Sequence, residues 1–130
     1  MTPQRDEAER FLRLARRDEA AFLALLEIPS VDFSVACFHA QQASEKALKA
    51  AMCLLGIEFR RTHDLEALAG QLSDAGCTPT IAIDDLRRLT PYAVEFRYDD
   101  EAMALLDPKS ARRIVAEILA WTTSLLDTCE

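Results

Sequence analysis

The chain has 130 residues, half of them hydrophobic, with only three glycines and a formal net charge of −7. A chain of this length fits one domain that buries roughly two-thirds of its unfolded surface, so neither a disulfide framework nor a structural metal is required for folding. The acidic balance excludes a broadly basic surface that tracks nucleic-acid phosphates, and leaves such a partner only a local pocket or a patch completed by a second copy.

The hydrophobic share is mostly Ala and Leu, with few β-branched residues, which favours packed helices over a sheet. The charge is uneven. Residues 1–61 carry nine acids and nine bases, residues 62–98 six and three, and residues 99–130 seven and three.

The first predicted helix runs from about Pro3 to Glu27. Thr2 is a suitable N-cap, with Pro3 at the first helical position. Phe11, Leu14, Ala15, Phe22, Leu25 and Leu26 recur at threes and fours, with one interruption at Asp18, and Pro29 ends the pattern. The second helix, from about Asp32 to Leu55, is long enough to be the central helix of a small bundle, and Gly56 stops it. Thr62 can cap a short third helix in "HDLEALAGQLSDAG", where Leu65, Leu68 and Leu72 share a face and Gly76 closes. After a loop at "CTPTIAI", helical pattern returns from Asp84 through "DDLRRLTPYAVEFRYDD". Pro91 lies inside it, and the expectation is one helix kinked there rather than a new start. The last helix has Asp107 as N-cap and Pro108 in its first turn. Its expected apolar stripe is Ile114, Ile118, Trp121 and Leu125. Five helices with short links predict an all-α, up-and-down bundle, formed by a single domain over residues 1–130.

Cys37, Cys53, Cys77 and Cys129 form no C-x-x-C pair and no zinc spacing. Cys37 and Cys53 sit among apolar neighbours and read as buried, reduced thiols, as expected of a cytoplasmic protein. The N-terminus "MTPQRDEAERF" is too charged for a signal peptide, and no apolar run approaches the ~20 residues of a membrane span.

The chemistry missing from the chain is informative. There is no phosphate-cradling glycine loop, no G-x-S-x-G elbow, no H-E-x-x-H helix, and no Glu three residues before either His39 or His63. No catalytic residue, cofactor or metal ligand is therefore expected. Three polar groups remain. His39, Gln42, Lys46 and Lys49 fall on one stripe of the second helix, with Gln41 and Glu45 alongside. That stripe is either a solvated face or the lining of something. In "RRTHDL", His63 and Asp64 stand at a helix start, where an acid suits the helix dipole. In "PYAVEFRYDD", Arg97 is framed by Phe96 and Tyr98, a setting for stacking or for pairing with a carboxylate such as Glu45.

Taken in order, "FLRLARRDEAAFLALL", "ACFHAQQASEKALKAAMCLLG", "THDL" and "PYAVEFRYDD" resemble the HEPN family, the higher eukaryote and prokaryote nucleotide-binding domains. The second stretch is similar to the family's most distinctive segment, an aromatic followed by x-A-Q-Q-A-x-E-K-x-L-K. The fourth departs from it, with Asp99 where proline is usual. The resemblance implies a helical bundle that commonly forms a two-fold homodimer, here through the first or the last helix. Many members are ribonucleases that place a histidine four to six residues after an arginine. This chain lacks that spacing, so the enzyme reading is left open and leans against catalysis.

The chain resembles more closely the small members encoded beside a minimal nucleotidyltransferase, as its partner or substrate-binding subunit in a toxin–antitoxin-like pair. On this reading Glu45 pairs with Arg97, and Lys46, Lys49, His63, Arg97 and Tyr98 are the candidates for binding a nucleotide or phosphate. The alternatives are an atypical ribonuclease using Arg97, Tyr98 or His63, and a purely structural adaptor. No membrane is expected as partner, and nucleic acid only in company with another protein.

Overall fold

The computed structural model describes residues 2–93 and 106–128. Helices α1 (Pro3–Leu26), α2 (Phe33–Leu54), α3 (Leu65–Asp74), α4 (Ile83–Leu89) and α5 (Pro108–Thr128) follow one another, with a 3-10 turn at Thr90–Ala93 after α4. The protein is an all-α bundle, and no strand occurs among the described residues. Four of these five starts have a side-chain cap, and α4, with Ala82 at the cap position, has none. Thr2 Oγ1 accepts the Arg5 N–H at 3.0 Å, and Asp32 accepts the Ser34 N–H at 2.9 Å. Asp107 accepts the Ser110 N–H at 2.7 Å. The cap of α3 is Asp64, not Thr62 as the sequence suggested. Asp64 takes the Glu66 and Ala67 N–H groups, while Thr62 Oγ1 accepts the N–H of Asp64 itself. Helix α2 stops at Gly56, whose φ of +70° allows Ile57 N–H to reach back to the Met52 carbonyl at 2.9 Å.

Helix α2 is the centre of the bundle. It packs along α1 and against α5, α3, α4 and the 3-10 turn. It is buried nearly all round, through Ala36, Ala40, Ala43, Ala47, Ala50 and Ala51. Alanine lets neighbouring helices approach closely, and Thr122 of α5 uses that closeness to donate to the Ala47 carbonyl at 3.1 Å. Helix α1 runs antiparallel to α5. Arg5 near its start bonds the Leu126 carbonyl, and Glu27 just past its end pairs with Arg112.

Helix α5 is turned relative to the sequence expectation. Ile114 and Ile118 are buried as foreseen, but the fully covered set continues through Ala111, Val115, Leu119, Thr122 and Leu126. Trp121 and Leu125 are partly buried against the margin of the core. Thr122 fits where α5 touches the alanine face of α2, and the bulkier Trp121 stands at the margin.

The expectation of one kinked helix around Pro91 is corrected: α4 ends at Leu89 and the chain tightens into the 3-10 turn. Pro91 brings no N–H, and Thr90 supplies a substitute lock. Its hydroxyl donates to the Leu86 carbonyl at 3.0 Å and accepts the Leu65 N–H at 3.2 Å, tying the turn to the start of α3. Tyr92 is then buried edge-on to Phe33, and burial pushes its hydroxyl up to about 12.

Candidate functional site

The polar stripe of α2 faces protein on both flanks. Two carboxylates organise it, each paired with one lysine and one histidine. On the flank toward the α2–α3 connection stands Glu45. Its Oε1 accepts from His63 Nδ1 at 2.7 Å and from Gln41 Nε2 at 3.3 Å, and its Oε2 from Lys49 Nζ at 2.9 Å. Gln41 also donates to the His63 backbone carbonyl at 2.8 Å, and its own oxygen accepts from Gln42 at 2.7 Å. The Lys49 ammonium lies over the Phe59 ring, 5.0 Å from its centre, and Phe59 meets Phe11 of α1 edge-on.

Exposure grades sharply across this group. The side chains of Glu45, Lys49 and His63 are 5%, 16% and 64% exposed. Burial alone would push the Glu45 carboxyl up. The hydrogen bonds from His63, Lys49 and Gln41, with the Lys49 charge, outweigh it and hold the carboxyl below its ordinary value. The carboxylate and the ammonium are therefore internal, while the imidazole is offered outward from an anchored base.

On the opposite flank stands Asp18 of α1. It accepts from Lys46 Nζ at 2.5 Å and sits 3.1 Å from His39 Nδ1, and Asp18 and Lys46 line a shallow cavity on the α1–α2 seam with Leu14, Arg17 and Ala21. The residue that broke the apolar rhythm of α1 is therefore its polar lock. Ala8, Phe11, Ala15, Asp18, Phe22 and Leu25 step by three and four in strict alternation, so Asp18 occupies a helix-facing register position. That register was the signal, in the sequence, that Asp18 faces a neighbour.

The nucleotide-site candidates are thus divided. Lys49 and His63 come together on Glu45, whereas Lys46 turns to Asp18 on the other flank. Each lysine is within ion-pair distance of a carboxylate. Arg97 and Tyr98, and with them the Glu45–Arg97 pairing, lie outside the described residues. Among the described residues Glu45 accepts three hydrogen bonds, from Gln41, Lys49 and His63. Sequence reasoning also missed Phe59, the platform under Lys49, which no periodic pattern marks.

A third carboxylate, Asp85, joins α4 to α5 through Arg113 and also accepts from Arg88 of its own helix. Among the described residues, no group of three or more His, Cys, Asp or Glu is placed to hold a metal. Cys37 is buried, and that burial pushes its thiol up to about 12, which makes it inert. Cys53, expected to be buried, is partly exposed, as is Cys77.

The model of the HEPN domain matches residues 5–126, nearly the whole chain. The chain belongs to the HEPN family. No curated protein and no solved structure matches it. In this HEPN domain the Q-Q-A-x-E-K segment is the inner wall of both flank clusters. Gln41 and Glu45 serve one side and Lys46 the other. The "THDL" motif supplies the outer partner, His63, and the cap, Asp64. No helix of the described residues is long and apolar enough to cross a membrane.

Proposed function

We propose that this HEPN domain is a non-catalytic nucleotide-binding and dimerisation module. On this reading it is the partner or substrate-binding subunit of a minimal nucleotidyltransferase, in a toxin–antitoxin-like pair. The family is one of nucleotide-binding and ribonuclease-type modules. The observation that carries the choice between these is the absence of the arginine-to-histidine spacing: no arginine lies four to six residues before His39 or His63. In the proposal the ligand approaches the face carrying His63, with Arg97 and Tyr98 as its further contacts. Lys46 and Lys49 set the local field instead of gripping phosphate themselves. The module works as a homodimer through α1 or α5.

Purification of the full chain from its native host, with identification of the co-purifying protein, tests the partnership. A minimal nucleotidyltransferase recovered in stoichiometric amount is the expected result. Recovery of the chain alone, together with arrest of growth when it is expressed by itself, would overturn the proposal in favour of a toxin acting without a partner. Sedimentation equilibrium at micromolar concentration checks the dimer, and a monomer alone would remove that part.

A further inference from the structure

We propose that His63 is a phosphoryl-accepting histidine, with Nε2 as the nucleophile and Glu45 as the residue that positions it. This inference stands apart from the nucleotidyltransferase partnership and rests on the geometry of one side chain. An imidazole that accepts a phosphoryl group needs one nitrogen fixed and protonated, the other free and facing solvent, and a nearby anion for the charge the ring acquires. His63 meets each need. Nδ1 lies 2.7 Å from Glu45 Oε1, an acceptor, so in the neutral ring Nδ1 carries the proton and Nε2, across the ring, keeps its lone pair. The side chain is 64% exposed although its anchor is 5% exposed. The backbone is held too, since Gln41 donates to the His63 carbonyl at 2.8 Å. Ring and main chain are both fastened to α2, so the outward nitrogen is preorganised.

The step balances without an added oxidant, reductant or base. The Nε2 lone pair attacks the phosphorus of a phosphoramidate-class donor, and the Nε2–P bond forms. The donor's P–N bond breaks, and its electron pair leaves with an already protonated amine. The ring becomes a phosphoimidazolium that keeps its Nδ1 proton. The new positive charge faces the Glu45 carboxylate, whose other oxygen is held by Lys49 at 2.9 Å.

His39 provides an internal contrast. Its Nδ1 also meets a carboxylate, Asp18 at 3.1 Å, but the side chain is 30% exposed, and its ring packs edge-on against Phe38. The two histidines therefore share a motif and differ in access.

The test uses the full chain and potassium phosphoramidate as the donor. Acid-labile, alkali-stable phosphate is assigned to a residue by mass spectrometry and its rate of appearance measured. The expected result is labelling at His63 ahead of His39, retained in His39→Gln and lost in His63→Gln. His63 should also react faster in the folded protein than in the same chain unfolded in guanidinium chloride, whereas His39 should react more slowly when folded. In Glu45→Gln the His63 rate should fall about tenfold, by analogy with the loss that follows removal of the carboxylate behind a metal-binding histidine. Equal labelling of the two histidines, or a folded-state rate at His63 no higher than the unfolded rate, would overturn the proposal. The folded-against-unfolded comparison uses the unmutated chain, so it decides the matter even if Glu45→Gln does not fold.

Discussion

Replacing Glu45 with Gln should cost the fold about 2–3 kcal/mol at pH 7.5. The substitution keeps shape and removes charge. Lys49 is then left over Phe59 with its side chain only 16% exposed, and His63 loses an ionised acceptor for a neutral one. Stranding one partner of a well-buried pair costs ~3–5 kcal/mol. Lys49 keeps a partial route to water, and the new amide oxygen can still accept one hydrogen bond of about 1 kcal/mol, so the lower figure applies. Guanidinium unfolding of the wild type, Glu45→Gln, Lys49→Met and the double variant measures the pairing directly. A coupling energy above ~1 kcal/mol is expected for side chains this close. Additivity within ~0.5 kcal/mol would show that the pair contributes nothing and would refute the reasoning.

Acidity supplies a second check on the same carboxylate. Its folded-state value lies below the unfolded one, because the bonds from His63, Lys49 and Gln41 outweigh burial. The stabilisation is therefore complete above the ordinary Glu value of ~4.3 and is lost as the pH falls through the lower folded value. The difference between wild type and Glu45→Gln should shrink only below roughly pH 4.

Other expectations concern the rest of the molecule. Asp18→Leu should leave stability within ~1 kcal/mol or raise it, because Leu suits the helix-facing register and Lys46 and His39 are near enough to solvent to turn outward. Urea unfolding checks this, and a loss above ~3 kcal/mol would assign Asp18 an indispensable structural role. Asp85→Asn should destabilise by ~1–3 kcal/mol, since the buried acceptor of both Arg88 and Arg113 loses its charge, and thermal melting reads the effect. An aromatic disulfide reagent at pH 8 should modify Cys53 and Cys77 well before Cys37, whose thiol is pushed up to about 12, with peptide mapping to assign the order. Total RNA incubated in divalent-free buffer should remain intact, and cleavage abolished by His63→Ala would establish a ribonuclease instead.

The helices were legible because their signals are local. Thr2, Asp32, Gly56, Gly76 and Pro108 mark ends through backbone requirements that do not depend on the rest of the molecule. The all-α class follows from the same cues. The rotation of α5 was less legible, since periodicity ranks Trp121 above Thr122, whereas close approach to the alanine face of α2 selects the smaller residue. The 3-10 turn escaped because the Thr90 lock depends on Leu65, a residue distant in the chain. Of the site, the stripe His39, Gln42, Lys46 and Lys49 was visible, but its partners were not. Spacing on one helix says which residues share a face. It does not say that Asp18 of another helix takes two of them, or that a loop histidine caps Glu45. The three-four register of α1 carried a trace of the first, and the second came only through the family resemblance, which put His63 in one site with Lys49.

The two histidines, one on each flank of α2, amount to a pair of natural reporters. The chain contains no others. His39 senses the seam with α1, and His63 senses the link into α3. Two imidazole proton signals in an unlabelled sample would thus follow each joint of the central helix separately. A ligand or partner that loosens one seam while leaving the other intact would declare its side of approach in a single titration.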